Sequence, residues 1–173
     1  ESIQKQDPDQ LDADALKKLI GQAGIVGMGG ATFPAHVKLS PPAEKKIDTL
    51  LINGVECEPY LTADHRLMLE KGKEILIGTK ILMKSLGVEK AVIGIENNKT
   101  DAVIHLRERS KDFQGIEVRE MKVKYPQGGE KQLIDAVLGR EVPTGGLPMD
   151  CGVVVQNVAT MARKPPPSTN ENT

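Results

Sequence analysis

The chain has 173 residues, 39% of them hydrophobic, which is material for a single core and one domain. Two Phe, two Tyr and no Trp leave that core to Ile, Leu, Val and Met and argue against nucleic-acid binding by base stacking. A near-balance of 23 basic and 24 acidic residues excludes a global field that would favour nucleic acid or an anionic membrane.

In chain order, residues 1–10 are polar and unpatterned, a loose lead-in. Asp12 or Asp14 caps a predicted helix through about Gln22, with Leu16, Leu19, Ile20 and Ala23 on one face. A glycine-rich segment leads to a turn at Pro41-Pro42 and a first strand, Ile47–Asn53, apolar enough for burial on both faces. Thr62 to Arg66 opens a short helix that Gly72 punctuates. The next helix, about Lys73–Ser85, is apolar around much of its circumference and is expected to pack deeply.

A second strand at Ala91–Ile95 is followed by a helix over about Thr100–Lys111 and a third strand, Ile116–Val123, with one wetter face. A further helix runs from Glu130 to about Leu138, and Gly139–Asp150 is too broken by glycine and proline for an element. Gly152–Val155 is the fourth strand, with Asn157 placed to cap a following helix or reach a ligand. This rhythm predicts an α/β fold: a three-layer sandwich around a mainly parallel, Rossmann-like sheet of about four strands. The expected organisation is a lead-in and helix over 1–22, one α/β domain over 23–163 and a disordered tail over 164–173, where three prolines run together.

Four clusters carry candidate chemistry. Gly27-Met28-Gly29-Gly30-Ala31-Thr32-Phe33-Pro34, followed by Lys38, exposes backbone amides that suit a planar or anionic ligand, although the pattern serves equally as a mobile connector. Asn53-Gly54-Val55-Glu56-Cys57-Glu58 lies just past the first strand, where α/β sheets collect ligands. The usual exposure of Glu favours an acidic surface turn there. Gly128-Gly129-Glu130 repeats the glycine device at a helix start, and Glu130 also complements that helix dipole. Gln156-Asn157-Val158-Ala159-Thr160 ends the fourth strand.

His36, His65 and His105 have no ligand spacing, so structural or surface roles are expected, and no metal. Cys57 and Cys151 form no Cys-x-x-Cys pair, cannot by themselves hold a four-thiolate cluster and fit a reducing compartment. No N-terminal signal pattern and no long apolar run is seen. That favours a cytoplasmic segment, with peripheral attachment to a membrane complex left open.

The order of these motifs from about Ala23 to Thr160 resembles the flavin-binding domain of the C subunits of Rnf electron-transport complexes, relatives of the 51 kDa NADH-oxidising subunit of respiratory complex I. The resemblance implies FMN held by Gly27, Gly29, Gly30 and Ala31, with Lys38 as a polar or phosphate contact. It places Asn53, Glu56 and Cys57 along the flavin, Gly128 and Glu130 beside it, and Gln156, Asn157 and Thr160 in the last flavin-contacting turn. Phe33, Glu58 and Glu130 match positions that meet NADH. Thr32 and Gly129 stand where complex I relatives have a glycine and an acid, and Gln156 and Ala159 also differ.

The implied activity is that of an NADH dehydrogenase domain: hydride passes from NADH to FMN, and electrons go on to iron–sulfur or flavin partners. No catalytic side chain is required. Iron–sulfur clusters would belong to domains absent from this chain, which resembles an excised and incomplete part of an electron-transport oxidoreductase. Expected partners are other subunits of an ion-translocating membrane complex, with no nucleic acid and no direct membrane span, at the inner face of the cell membrane. Two rival readings are an assembly module with a degenerate flavin pocket and a cobalamin-reductase relative.

Overall fold

The computed structural model describes residues 10–25, 35–56, 63–122 and 129–162. Its helices are α1 (Ala13–Gln22), α2 (Ala35–Lys38), α3 (Ala63–Glu70), α4 (Gly72–Leu86), α5 (Thr100–Ser110), α6 (Glu130–Leu138) and α7 (Val158–Met161). The strands are β1 (Thr49–Gly54), β2 (Lys90–Glu96), β3 (Ile116–Met121) and β4 (Val153–Asn157), all parallel and ordered β3-β2-β1-β4.

The strand residues alternate between two cores. Leu50, Ile52, Ala91, Ile93, Ile95 and Val154 pack with Ile20 of α1, Ile75, Leu76 and Leu82 of α4, Leu106 of α5 and Met161 of α7. Leu51, Val92, Met121, Val153 and Val155 pack on the other face with Leu133, Ile134 and Val137 of α6. A sheet covered on both sides needs apolar residues at successive positions, and Leu50, Leu51 and Ile52 are all fully buried. The expected three-layer α/β sandwich is therefore the observed architecture.

Several local expectations change. β1 begins at Thr49 rather than Ile47, where its ladder with β4 starts at the Thr49–Val153 pair, and just before it Asp48 Oδ1 accepts from Thr49 and Arg140. β4 begins at Val153, since Gly152 is a left-handed turn residue at φ 80°. β3 stops at Met121, and Val123 lies outside the described residues. The segment expected to lack structure contains a 3-10 helix, Pro148–Cys151, where Asp150 Oδ2 accepts from the Leu147 amide at 2.7 Å.

α2 was too short to show a periodicity. Ile77 of α4 is 41% exposed, so that helix keeps one outward stripe. Gly72 marks the expected break, since α3 ends at Glu70 and α4 begins at Gly72, and a Cβ there would lie 3.0 Å from the His105 ring of α5. Its role is to let α4 and α5 approach closely.

The chain runs outward from β1 to β2 to β3, then returns to place β4 on the far side of β1. The order therefore reverses between β1 and β4. In open parallel sheets the crevice beyond the carboxyl ends of two such strands is where ligands bind.

Candidate functional site

At this switch point Asn53 and Asn157 are register partners, as are Ile52 and Gln156. Asn53 Oδ1 accepts from the Val55 amide at 2.9 Å, a local side-chain turn that ends β1. A Cβ on Gly54 would meet the Gly94 carbonyl at 2.9 Å and Met68 Sδ at 3.2 Å. The backbone here is pressed between β2 and α3, which leaves room for glycine alone.

Glu56 follows, and it is not the surface acid expected from composition. Its side chain is only 8% exposed. Oε1 accepts from the Asp64 amide in the first turn of α3 at 2.6 Å, and Oε2 accepts from Lys99 Nζ at 2.7 Å. Lys99 Nζ also lies 3.2 Å from Glu96 Oε2, so one buried ammonium joins two buried carboxylates.

From the neighbouring strand, Asn157 caps α7, its Oδ1 accepting from the Ala159 amide at 2.7 Å, while its Nδ2 donates to Asp64 Oδ2 at 3.2 Å. The capping role and a polar contact across the crevice thus coexist in one side chain. Asp64 joins the two strand exits, bonded through its amide to Glu56 and through its carboxylate to Asn157.

Burial raises the Asp64 carboxyl above the ordinary aspartate range, opposed by the Asn157 hydrogen bond, reinforced by the Glu56 charge and offset by Lys99. A carboxyl raised in the folded state contributes stability at pH values below its unfolded value and loses it as pH rises through the folded value. Asp64→Asn removes that loss. The melting-temperature difference between variant and parent is therefore expected to be more favourable at about pH 7 than at about pH 4. Parallel thermal melts of the two proteins at both pH values measure it.

On the other side of the sheet, Lys38 Nζ pairs with the Glu130 carboxylate and donates to the Val155 carbonyl at 3.2 Å. Glu130 is in the first turn of α6, as expected for a residue that complements the helix dipole. The lysine therefore ties α2, α6 and the edge strand β4 together.

Gln156 is 2% exposed, and its Nε2 has no hydrogen-bond partner among the described residues. By alternation from Val154 it faces the same side of the sheet as Ile52. An orphaned buried amide costs stability unless something absent satisfies it. Thr160, on α7, is 4% exposed and engaged in a polar interaction.

Of the residues singled out from the sequence, the structure brings Asn53, Glu56, Gln156 and Asn157 to one pair of strand exits, with Thr160 one short helix beyond. Lys38 and Glu130 meet each other beside β4. Gly27, Gly29, Gly30, Ala31, Phe33, Cys57, Glu58 and Gly128 lie outside the described residues. Asp64, Glu96 and Lys99 escaped the sequence reading. The one local signal was the Glu96-x-x-Lys99 spacing just past β2, which reads as an ordinary exposed pair until both prove buried.

Among the other candidates, His65, His105 and Cys151 bond to neighbouring groups of the described residues. His65 Nε2 lies 2.7 Å from Asp101 Oδ1, and His105 Nε2 accepts from Arg109 at 2.9 Å. No metal-binding group of side chains occurs among the described residues. Cys151 donates to the Pro148 carbonyl at 3.1 Å, and burial pushes its thiol up. A cleft of about 930 Å³ lies elsewhere, lined by Ile81, Val88, Phe113 and Gly115 at the amino ends of β2 and β3. It is the wrong end of the sheet for a ligand of this architecture.

The amide, hydroxyl and charged groups at the switch point suit a planar heterocycle carrying carbonyl and ring-nitrogen acceptors, and Gln156 Nε2 is a donor with no partner among the described residues. The family model described as the Nuo51 FMN-binding domain matches residues 20–164. The chain belongs to this family. Among similar proteins, the C subunit of the Na(+)-translocating ferredoxin:NAD(+) oxidoreductase complex of Acetobacterium woodii is 56% identical over 155 residues, 90% of this chain and 35% of that protein.

The C subunit of the proton-translocating ferredoxin:NAD(+) oxidoreductase complex of Clostridium ljungdahlii is 54% identical, over 87% of this chain and 33% of its own length. The C subunit of the ion-translocating oxidoreductase complex of Pasteurella multocida is 48% identical, over 90% and 18%. This FMN-binding-family chain thus spans about a third or less of these relatives, and they are the kind of subunit to which the motif order pointed.

Among solved structures, a chain of the NAD+-reducing [NiFe]-hydrogenase in the H2-reduced state superposes with a TM-score of 0.78 at 24% identity, covering 87% of this chain and 30% of that one. That likeness concerns the fold. No helix among the described residues is long and apolar enough to cross a membrane.

Proposed function

We propose that this domain binds FMN in the crevice between the exits of β1 and β4 and serves an NADH-oxidising electron-transport subunit. The observation that carries the reading is the buried Gln156 Nε2, without a hydrogen-bond partner among the described residues, at the switch point of a family named for FMN binding. When bound, FMN supplies hydride acceptance and one-electron transfer.

The chain's own residues supply binding, orientation and charge. Gln156, Asn157 and Thr160 from the β4 exit and Asn53 and Glu56 from the β1 exit would hold the flavin. Gly27, Gly29, Gly30, Ala31, Cys57 and Gly128 complete the proposed site from the segments outside the described residues. Lys38 brings a cation and Glu130 an acid on the other side of β4. Phe33, Glu58 and Glu130 would meet NADH, the acids discouraging the added phosphate of NADPH.

In this reading electrons leave toward iron–sulfur or flavin partners in other domains and subunits of an ion-translocating complex. The domain then sits on the cytoplasmic side as a peripheral part of that assembly.

Titration with FMN, followed by flavin fluorescence quenching and by thermal shift, tests the binding. A ligand that binds only the folded state at about 100 times its Kd adds about 2.7 kcal/mol, so a clear rise in Tm is expected. Anaerobic NADH should then bleach the bound flavin, with NADPH slower. No quenching and no thermal shift would refute the flavin site, and a preference for NADPH would refute the role given to the acids.

A further inference from the structure

Glu56 stands at the centre of the proposed site, yet it is held by groups that no motif includes. Lys99 reaches it from the connection between β2 and α5, with its ammonium 2.7 Å from Oε2. Glu96, the last residue of β2, steadies the same ammonium at 3.2 Å. Because β1 and β2 are neighbours in register, with Gly54 beside Ile95, this contact staples the exits of two adjacent strands. The other Glu56 oxygen accepts from the amide of Asp64. Both carboxylate oxygens are thus occupied, and the side chain has one orientation.

We propose that Lys99 is a positioning residue for the cofactor site, fixing the charge and direction of Glu56 so that the β1 exit keeps the shape the ligand requires. This deepens the FMN reading and rests on it for the identity of the ligand. The physical reason is the burial of the group: Lys99 is 9% and Glu96 7% exposed. Removing the only cation in this cluster of described residues leaves Glu56 and Glu96 uncompensated, with Asp64 adjoining them. His65 and Asp101 face each other at 2.7 Å on the rim formed by α3 and α5, and the Asp101 carboxylate adds no compensation. A carboxylate in that condition gains by turning away or by taking up a proton.

The experiment compares the parent with Lys99→Met, Lys99→Arg, Glu96→Gln and the double variant Lys99→Met/Glu56→Gln. The first readout needs no flavin. The Tm deficit of Lys99→Met should shrink as pH is lowered from about 8 to about 5, because the variant takes up a proton on folding. The double variant should melt above the single one. Mere loss of the lysine's packing would give a deficit independent of pH and no recovery in the double variant, and that result would overturn the proposal.

The second readout is the FMN dissociation constant from fluorescence quenching. Lys99→Met should raise it by about tenfold or more, Lys99→Arg should recover part of the loss, and Glu96→Gln should change it less than Lys99→Met does. Unchanged FMN affinity and unchanged bound-flavin midpoint potential in Lys99→Met would also overturn the positioning role. Failure of the parent to bind FMN would sink the flavin reading instead, while the pH-dependent melts still decide whether Lys99 fixes Glu56.

Discussion

Gln156→Leu is expected to make the protein more stable and a worse flavin binder at once. Its Nε2 is buried with no partner among the described residues, and an unsatisfied buried amide costs about 1–3 kcal/mol. Leucine is of similar size and belongs beside Ile52 and Val154 on that face of the sheet. The substitution should therefore raise the stability of the FMN-free protein by about 1–2 kcal/mol. Loss of a donor to the ligand should weaken FMN by about tenfold, equivalent to about 1.4 kcal/mol.

Urea unfolding without FMN and fluorescence titration with it measure the two effects separately. A structural glutamine would lose stability on substitution and leave FMN affinity unchanged. Stabilising a protein at the expense of its site is the usual sign of a group kept for a ligand.

Gly78→Val should produce the largest loss. Gly78 sits in α4 where α7 crosses it, and a Cβ there would stand 2.6 Å from the Met161 carbonyl oxygen and 3.2 Å from its Cα. These are backbone atoms, which cannot rotate aside as a side-chain tip can. Valine must push α7 away, at an expected cost of about 3 kcal/mol, or about 6–12 °C in Tm.

Because α7 begins at the Asn157 cap and carries Thr160, its displacement reaches the proposed site. FMN affinity should fall along with stability. Ile77→Ala is the natural control: Ile77 is the adjacent residue, 41% exposed, and should change stability by only about 0.5 kcal/mol. Equal effects at the two positions would show that the close crossing of α4 and α7 is not what holds the β4 exit.

Much of the fold was legible because its determinants are local. Asp12 accepts from the Ala15 amide at 2.8 Å and starts α1 where a capping residue should. Asn157 likewise opens α7. The runs at Leu50–Ile52 and Ala91–Ile95 announce strands covered on both faces, since only a doubly covered sheet accepts apolar side chains at consecutive positions.

Gly72 was legible as the boundary between α3 and α4, but its packing role was not. Glycine lowers helix propensity in every local scale, but here its missing side chain is what permits α4 to approach His105. Glu56 misled, because composition places glutamate at the surface and cannot know that Lys99, 43 residues on, will meet it.

By itself, then, the amino-acid order determined the succession of the longer helices and the strands, the caps at Asp12 and Asn157, the two-sided burial of the sheet and the motif order that pointed to the flavin-binding family. Only the tertiary structure decided that β4 lies on the far side of β1, that Asp64 joins Glu56 to Asn157, and that Lys99 and Glu96 stand behind Glu56. The reason lies in range. Caps and periodicities are settled by interactions within a few residues, whereas strand order and buried charge pairing depend on the packing of segments far apart in the chain, which no single stretch of sequence encodes.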